Sequence, residues 1–503
     1  MTEVVLAIDA GTTGVRTLAV SPDGAPLAWA YREFPQYFPR PGWVEHDADD
    51  IWAATVATLD EVVQAVARDG LTVAAIGITN QRETVVLWDR DTGAPLHRAL
   101  VWQDRRTARR CDELRDAGHL PLVRARTGLV LDPYFSATKL EWLFRDGGVD
   151  PGPRVAFGTV DSWILWRLTG GADSGVHATD PSNASRTLLF DIDALDWSPP
   201  LLELFGVPPS CLPEVLPSCG RFGMTVPECA AGLRVPVSGI AGDQPAALFG
   251  QACFEPGMTK NTYGTGSFVL MNLGAAHPDP VEGLLTSVAW TIGSAVTYAM
   301  EGAVFVTGAA IQWLRDGLGI IEDAAETGPL AQSVPDTGGV VFVPAFTGLG
   351  SPWWDPYARG AVLGLTRGTG RAHLARAVVE AMAWQTRDVV DAMAAASGRT
   401  VTELRVDGGA SVMEVLCQFQ ADVLGVPVRR PAARETTALG AAYLAGIAEG
   451  VWPSPADAAA AWREEAAYFP TMAAEEVTRR AEQWHRGVAR SREWAREGEP
   501  AAE

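Results

Sequence analysis

Lysine is nearly absent from this chain, whose 503 residues contain only Lys139 and Lys260 and take the rest of their positive charge from arginine. Two common phosphate-binding signatures are absent as well, because the sequence has neither a GxxxxGK(S/T) loop nor a GxGxxG fingerprint. If the protein binds a nucleotide, it must therefore hold the phosphates by another arrangement.

Cysteine and histidine are too few and too scattered to indicate a metal centre. The six cysteines contain no CxxC pair, and the seven histidines show no HExxH spacing. Six cysteines in so long a chain would also be sparse for a disulfide-rich secreted protein. The sequence therefore favours neither a structural zinc site nor a disulfide framework.

Acidic residues outnumber basic ones, 61 against 40, which gives a formal net charge of −21. Such a chain repels phosphodiester backbones and anionic membrane surfaces. No apolar run reaches the roughly 18 residues that a membrane-spanning helix needs, and no basic segment precedes the first apolar stretch. We therefore expect no nucleic-acid partner, no integral membrane association and a cytoplasmic location.

Strand-like segments around a glycine- and threonine-rich turn open each half of the chain. Residues 4–8 and 15–20 have the pattern of strands on either side of an Asp-Ala-Gly-Thr-Thr-Gly turn. A similar unit returns at 258–263 and 268–273, around a Gly-Thr-Gly-Ser turn. Two such units suggest two related domains, although so short a sequence repeat can also arise by chance.

The remaining pattern alternates strand-like and helix-like segments, which predicts an α/β protein of two domains, 1–250 and 251–503. Ser411 and Glu414 match a capping box at the start of a helix. The chain from about residue 454 is rich in Ala, Glu and Arg, which predicts surface helices. One face of the capped helix collects apolar residues at spacings of three and four, namely Val412, Val415, Leu416, Phe419 and Val423. Further strands are predicted over 74–79, 85–88, 339–344 and 404–407.

The first turn carries the residues of a candidate phosphate site. Its glycines allow close backbone approach, and its N–H groups and threonine hydroxyls can donate to phosphate oxygens. Asp9, at the strand end, could hold Mg²⁺ through waters, and Arg16 could offset phosphate charge. The alternative is a plain hairpin turn in which Asp9 bonds the turn amides.

Two later loops strengthen the nucleotide interpretation. The turn at 264–267 could face the first loop across a cleft, and the Asp-Gly-Gly-Ala sequence at 407–410 precedes the predicted helix, whose N-terminus favours anions. Together the three loops suggest an ATP clamp of the actin type. Each loop alone is equally compatible with a tight connection.

Asp243 is the candidate catalytic base. In that role its carboxylate accepts a proton from a substrate hydroxyl as the oxygen attacks a γ-phosphate. Asp243 also precedes Gln-Pro at a predicted helix start, where aspartate is a good N-cap. The residues alone do not choose between the two roles, and one side chain can fill both.

A polar cluster at 80–84 suits a neutral polyol, because Arg82 and Glu83 together offer hydrogen-bond donors and acceptors. Trp102 and Phe268 could form an apolar wall for the polyol carbons. The alternatives are a solvated ion pair for the two charges and ordinary core packing for the two aromatic residues.

Long ordered blocks of sequence then point to a family. They lie at residues 41–46, 76–84, 157–161, 183–187, 238–244, 261–266 and 344–350. In these blocks the chain resembles the glycerol kinases of the FGGY carbohydrate kinase family, over nearly its whole length. The resemblance implies two actin/hexokinase-like (ribonuclease H-like) domains with an interdomain catalytic cleft. It also implies transfer of the γ-phosphate of ATP to glycerol, giving glycerol 3-phosphate, with a need for Mg²⁺.

The resemblance also implies roles for individual residues. Asp243 takes the position of the general base, and Asp9 that of the magnesium-associated aspartate. The positions that bind glycerol are Arg82, Glu83, Trp102, Tyr134, Asp243, Gln244 and Phe268. The positions that contact the nucleotide are Thr12, Thr13, Gly14, Arg16, Thr265, Gly308, Gln312 and Gly409. Because family members are commonly dimers or tetramers, a homo-oligomer is implied as well.

Departures from the family pattern leave two alternatives open. Gly14 replaces a usual serine and so removes a hydroxyl from the first loop, and Met413 stands where an asparagine near the adenine is common. Residues 228–234 lack the glycine-rich pattern of a fructose-bisphosphate site. The chain could be an FGGY kinase for another small polyol or sugar, or a catalytically inactive sensor or scaffold. The retained Asp9 and Asp243 argue against an inactive protein.

Overall fold

The computed structural model describes residues 3–496, in which helices cover both faces of a large central sheet. The strands are β1 (Glu3–Ala10), β2 (Gly14–Val20), β3 (Pro26–Glu33), β4 (Gln36–Tyr37), β5 (Glu45–His46), β6 (Thr72–Asn80), β7 (Val86–Asp89), β8 (Ala99–Leu100), β9 (Val155–Gly158), β10 (Ala178–Thr179), β11 (Phe190–Asp191), β12 (Asp196–Trp197), β13 (Glu214–Val215), β14 (Cys219–Met224), β15 (Pro236–Gly242), β16 (Thr259–Tyr263), β17 (Ser267–Gly274), β18 (Leu285–Ile292), β19 (Ala295–Val304), β20 (Val341–Val343), β21 (Ala361–Leu363), β22 (Leu404–Asp407), β23 (Val428–Pro431) and β24 (Glu464–Tyr468). The helices are α1 (Ala48–Arg68), α2 (Ala108–Asp116), α3 (Leu120–Thr127), α4 (Ser136–Arg145), α5 (Val160–Leu168), α6 (Pro181–Ala184), α7 (Pro199–Phe205), α8 (Asp243–Gly250), α9 (Gly308–Gln312), α10 (Thr327–Gln332), α11 (Arg371–Ser397), α12 (Glu414–Leu424), α13 (Thr436–Ala448), α14 (Pro455–Ala461) and α15 (Ala474–Ser491).

The central sheet repeats one strand pattern in the first half (3–250) and the second half (251–496) of the chain. In the first half, β1 pairs antiparallel with β2, β2 antiparallel with β3, β1 parallel with β6 and β6 parallel with β15. Strands β16, β17, β19, β22 and β23 pair in the same way in the second half. The two strand–turn–strand units predicted from the sequence therefore begin two equivalent half-sheets.

The half-sheets meet at one point, where Cys219 of β14 pairs with Ile292 of β18. This junction gives a continuous order of thirteen strands, β24-β23-β22-β16-β17-β19-β18-β14-β15-β6-β1-β2-β3. The two-domain α/β architecture expected from the sequence is confirmed. The boundary between 250 and 251 stays a prediction.

Helix α13 crosses from the second half to cover one face of the first half-sheet, where it packs on β1, β6, β15 and α8. Glycines allow this close approach, because a Cβ on Gly77 would meet the backbone of Ala441 and a Cβ on Gly440 would meet that of Ala246. Helices α1 and α5 cover the opposite face. Burial on both faces explains why β1 is an unbroken apolar run rather than an alternating one.

Three sequence expectations for the second half are wrong. Ser411 does not cap α12, since the structure forms a short 3₁₀ turn over Gly409–Val412 and the Ser411 hydroxyl donates to the Gly408 carbonyl at 2.7 Å. Val412, predicted on the buried face, is 49% exposed for the same reason. The C-terminal tail contains a strand, β24, between its two helices, and β24 pairs with β23. The Ala-, Glu- and Arg-rich composition of the tail did not predict this strand.

No helix within residues 3–496 is long and apolar enough to cross a membrane. The six cysteines, all of which lie in this range, are free thiols. Over the same residues no group of three or more His, Cys, Asp and Glu side chains forms a metal cluster.

Candidate active site

Three parallel strands of the first half end side by side and bring the predicted polar residues together. Asp9 of β1 pairs with Thr79 of β6, and Gly242 of β15 pairs with Asn80. Arg82 follows β6 by two residues and Asp243 follows β15 directly, so both leave the sheet at the edge where Asp9 lies. The carboxyl ends of parallel strands are the usual place for a ligand in an open α/β sheet.

The second half supplies two glycine-containing loops at the equivalent edge. Thr262 of β16 pairs with Asp407 of β22, so the loops after both strands start at the same level. Gly408 has φ +84°, and a Cβ there would meet the backbone of Tyr263. Gly409 is exposed and has open space around its Cα, which leaves room for a ligand.

Helix α9 begins directly on the turn between β16 and β17. The backbone N–H of Gly308 donates to the Gly264 carbonyl, and that of Ala309 to the Thr265 carbonyl, both at 3.0 Å. A Cβ on Gly308 would lie 2.6 Å from the Gly264 oxygen, so only glycine allows this contact without a shift. Gln312 is the exposed last residue of α9. The structure thus groups three of the predicted nucleotide contacts, Thr265, Gly308 and Gln312.

A buried network of charges joins the two halves below the cleft. Arg82 donates through Nε to Asp243 at 2.9 Å and through Nη1 to Glu301 of β19 at 2.7 Å. Arg186 donates to Glu83 at 2.6 Å and to the same Glu301 at 3.2 Å. Two arginines of the first half therefore share one carboxylate of the second.

Opposite charges alternate along this network, which offsets part of the cost of burying them. Burial alone would raise the pKa of Glu301, but Arg186 and Arg82 outweigh it and lower that pKa to about 2. Arg82 is only 2% exposed and Glu83 only 1%. The alternative of a solvated Arg82–Glu83 pair is therefore wrong.

Asp243 is the exposed member of the network. Its side chain is 34% accessible, whereas Arg82 and Glu301 are buried. Gly242, not Asp243, is the N-cap of α8, so the capping interpretation is wrong. Asp243 is the first residue of the helix, and its Oδ1 accepts from Arg82 and, at 2.7 Å, from the backbone N–H of Gln244. The two bonds fix the orientation of the carboxylate.

Asp9 and Asp243 together fit a divalent cation. Burial raises the pKa of Asp9 to about 7; Arg16 opposes this shift and the charge of Asp243 adds to it. A bound cation would favour the ionised form of Asp9, and carboxylate oxygens are what Mg²⁺ prefers. The donor set at this edge is therefore suited to Mg²⁺.

Two aromatic side chains stand beside the first loop. The Trp102 Nε1 donates to the hydroxyl of Thr12 at 3.0 Å, and its ring meets Tyr134 edge-on at 5.5 Å between centroids. The Arg186 guanidinium lies 5.4 Å from the centre of the Tyr134 ring. Phe268 is half-buried on β17 of the second half. A wall formed by Trp102 with Phe268 stays a prediction.

The first loop is held from below by polar side chains. The Gln81 amide donates to the Gly11 carbonyl at 3.0 Å and accepts from the Thr84 hydroxyl at 3.0 Å. Arg16 forms an ion pair with Glu435 of the second half. The alternative was a turn in which Asp9 bonds the loop amides, and this does not order the loop. Instead, the Gly11 N–H donates to the Gly14 carbonyl and closes the loop.

Lys260 is a cation that the sequence patterns did not select. It is fully buried, and its ammonium donates to the side-chain oxygen of Gln244 and to the Thr262 hydroxyl, the latter at 2.9 Å. Burial lowers its pKa, while Asp407 and Asp243 act in the opposite direction. Lys260 thus holds Gln244 beside Asp243.

Comparison with known proteins identifies the family. The model of the FGGY carbohydrate kinase N-terminal domain matches residues 4–250, and that of the C-terminal domain matches residues 259–449. The chain belongs to the FGGY family of carbohydrate kinases. Its relatives include glycerol kinase 2 of Thermotoga maritima, 52% identical over 97% of this chain and 99% of that protein. Another is the glycerol kinase of Trichlorobacter lovleyi, 55% identical over 98% of this chain and 99% of that protein.

Solved structures agree with the FGGY assignment. The Plasmodium falciparum glycerol kinase with ADP superposes with a TM-score of 0.91 at 32% identity, covering 97% of this chain and 98% of that chain. A xylulose kinase from Rhodospirillum rubrum superposes with a TM-score of 0.86 at 27% identity, covering 97% and 98%. The two-domain fold is therefore that of the FGGY kinases.

The sequence patterns do not select three residues that lie at this site: Arg186, Lys260 and Glu301. Arg186 lies in the ordered block at 183–187, where no pattern distinguishes it from its neighbours. Lys260 had one signal in the sequence, its rarity, because the chain has only two lysines. Both are buried in the structure, where a cation requires a partner. Glu301 had no local signal, since it lies inside the apolar strand β19.

Proposed function

We propose that this FGGY kinase transfers the γ-phosphate of ATP to a terminal hydroxyl of glycerol, with Asp243 as the general base. The observation that carries the proposal is the accessible Asp243 carboxylate at the edge of an otherwise buried set of hydrogen-bonding charges. The relatives named glycerol kinase, which align over nearly the whole chain, support glycerol as the acceptor.

In the proposed step, a glycerol hydroxyl oxygen attacks the γ-phosphorus while its proton passes to Asp243. The bond from the γ-phosphorus to the bridging oxygen breaks, and ADP leaves with the electron pair. Within the described chain both hydrogen bonds to the Asp243 side chain end on Oδ1, which leaves Oδ2 to accept the proton. Positioning outweighs basicity in phosphoryl transfer, so the fixed orientation of the carboxylate is its main contribution.

The substrate site in this proposal combines donors with acceptors, as a neutral triol requires. Arg82, Glu83 and Gln244 bind the glycerol hydroxyls, while the Trp102 and Tyr134 rings contact its carbons. A substrate without a matching hydroxyl would displace water from one of these polar groups and offer it no hydrogen bond in return, which costs binding energy. That mismatch is the physical basis for selectivity among polyols.

The nucleotide in this proposal lies across the cleft. Thr12, Thr13, Gly14 and Arg16 of the first half hold its phosphates from one side, and the loops at Thr265, Gly308 and Gly409 hold it from the other, with Gln312 nearby. Asp9 would hold Mg²⁺, which when bound offsets the negative charge of the phosphates. Closure of the halves would exclude water and so limit hydrolysis of ATP.

Three further parts of the proposal remain to be tested. The Mg²⁺ requirement and assembly into a dimer or tetramer rest on the family resemblance, and a cytoplasmic location rests on the sequence composition. Chelation by EDTA should abolish turnover and added Mg²⁺ should restore it. Light scattering during size-exclusion chromatography measures the mass of the assembly directly. Cell fractionation tests the location.

The first test measures ADP release by the purified protein with Mg-ATP, comparing glycerol with a panel of polyols and sugars. Asp243→Asn should lower kcat by about 10²–10⁴, the usual scale for a lost general base. Asp49→Asn, which changes an exposed aspartate in the first turn of α1, is the matched control and should act like the wild type.

Each outcome of this test has a separate meaning. Preference for another polyol would keep the mechanism and replace the substrate. Turnover near the wild-type level in Asp243→Asn would remove Asp243 from the chemistry. ADP binding without turnover on any acceptor would favour a sensor or scaffold over an enzyme.

A further inference from the structure

Gly14 in the first loop is a glycine for reasons of space rather than backbone conformation. Its φ is outside the left-handed region, so any residue could adopt its backbone shape. An added Cβ, however, would lie 2.7 Å from both Cζ and the hydroxyl oxygen of Tyr31, and 2.5 Å from the backbone oxygen of Arg32. The Tyr31 phenol therefore fills the volume that a side chain at position 14 would need.

Tyr31 also contacts the neighbours of Gly14. Its hydroxyl lies 3.2 Å from the hydroxyl of Thr13, within hydrogen-bond distance. Its ring centre lies 5.5 Å from the guanidinium carbon of Arg16, and the two residues pair directly across β2 and β3. One tyrosine on a neighbouring strand thus touches three of the four loop residues assigned to the nucleotide phosphates.

From this geometry we infer that Tyr31 is a positioning residue of the phosphate loop. Its hydroxyl orients the Thr13 hydroxyl and supplies polarity where position 14 has no side chain, and its ring holds the Arg16 guanidinium through a cation–π contact. The same guanidinium pairs with Glu435 and lies 5.9 Å from the centre of the Trp29 ring, so Tyr31 is one of three side chains that surround it. The inference rests on the proposed kinase function, because it assumes that Thr13 and Arg16 hold the phosphates of ATP.

The test begins with Tyr31→Phe, which removes one oxygen and keeps the ring. The KM for Mg-ATP should rise about 3–10-fold, the scale of one lost hydrogen bond, while the KM for glycerol stays within about twofold of the wild type. Tyr37→Phe is the matched control, since that tyrosine donates its hydroxyl to Asp50 at 3.0 Å, and it should leave both values unchanged. Thermal unfolding of both variants checks that the fold is intact.

A phosphate-specific binding measurement separates positioning from a general structural role. Calorimetry should show weaker ADP binding by Tyr31→Phe but unchanged binding of adenosine, which has no phosphate. Equal weakening for both ligands would overturn the inference, as would an unchanged KM for Mg-ATP.

A double-mutant cycle tests whether Tyr31 acts through Thr13. In Thr13→Val the hydroxyl partner is gone, so adding Tyr31→Phe should cause little further loss. In Thr13→Ser, which keeps a hydroxyl, Tyr31→Phe should retain its full effect. Fully additive losses with Thr13→Val would overturn the inference.

The proposed function can fail separately. Absence of glycerol-dependent turnover in the wild type would refute that function, while the ADP and adenosine comparison would still decide the role of Tyr31.

Discussion

Glu301 is the carboxylate that two buried arginines of the first half share. Its carboxylate accepts from Arg82 through both oxygens, at 2.7 and 3.1 Å, and from Arg186 at 3.2 Å. All three side chains are at most 2% exposed. Removing one partner of a buried ion pair leaves uncompensated charge in a poorly polarisable interior, which costs about 3–5 kcal/mol.

Glu301→Gln should therefore lower the free energy of unfolding by about 3–5 kcal/mol at neutral pH. The side chain keeps its size and one acceptor oxygen, so the loss reports the charge rather than the volume. Urea unfolding followed by fluorescence measures the change. Glu113→Gln is the control, because Glu113 is 47% exposed in an i,i+4 pair with Arg109, and it should change stability by less than about 0.5 kcal/mol.

The pH dependence of the same pair of proteins gives a second readout. The pKa of Glu301 falls from 4.5 to about 2 on folding, so the ionised carboxylate stabilises the native state above about pH 4.5. That contribution is lost as the pH falls from about 4.5 towards 2. The stability difference between the wild type and Glu301→Gln should be constant near neutral pH and shrink over this acidic range. A difference independent of pH would show that the carboxylate charge is not what stabilises the network.

Single residues were predictable only where their neighbours in sequence marked them. Asp9 lies at the end of a strand and Arg82 and Asp243 follow one, so their convergence at one sheet edge was accessible from pattern and family resemblance. Glu301 reaches the network because β19 pairs with β17 and β18. This long-range pairing cannot be predicted from the apolar sequence of β19. The space around Gly14 likewise depends on Tyr31, seventeen residues further along the chain, as only the β2–β3 register shows.

At the scale of elements, the contact between α8 and α13 sets how closely the second half approaches the first half-sheet. Gly440 of α13 lies against the Ala246 carbonyl of α8, and a Cβ there would overlap that oxygen. Two opposing effects act on Gly440→Ala. Alanine is the better helix former by about 1 kcal/mol, whereas forcing apart packed backbones costs about 1–3 kcal/mol.

We expect the steric effect to win, because the clash is with backbone on a buried helix and not with a flexible side chain. Gly440→Ala should lower the urea midpoint, with a net loss of up to about 2 kcal/mol. Gly152→Ala is the control, since nothing lies within 4 Å of a Cβ there and its φ is outside the left-handed region. A higher midpoint for Gly440→Ala would mean that α8 and α13 can separate without loss.

Elements were predictable where one local pattern decided them. The strands over 4–8, 15–20 and 404–407 correspond to β1, β2 and β22, because buried strands of a covered sheet are short apolar runs. The start of α12 was not predictable from its capping box, since the 3₁₀ turn over Gly409–Val412 delays the helix to Glu414. Strand β24 forms because it pairs with the edge strand β23. The Ala- and Glu-rich sequence of β24 would by itself favour a helix.

At the scale of the whole molecule, the first half does not contain everything it needs to bury its own sheet. Helix α13, which covers β1, β6 and β15, belongs to the second half. Glu301, which neutralises Arg82 and Arg186, comes from the second half as well. The family models match residues 4–250 and 259–449 separately, but apolar burial and charge pairing both join the two regions.

A fragment of residues 1–250 should therefore fail to fold cooperatively on its own. Without α13 it exposes the apolar face of three central strands, and without Glu301 it retains two arginines with one fewer buried carboxylate. We expect it to bind a hydrophobic dye and to unfold without a sharp thermal transition, whereas the full chain unfolds sharply. Adding residues 251–503 in trans should restore the transition, because the missing helix and carboxylate are then supplied. A sharp transition in the isolated fragment would show that the contacts across the boundary join two independently stable domains, and α13 would then serve to dock one domain on the other rather than to complete its core.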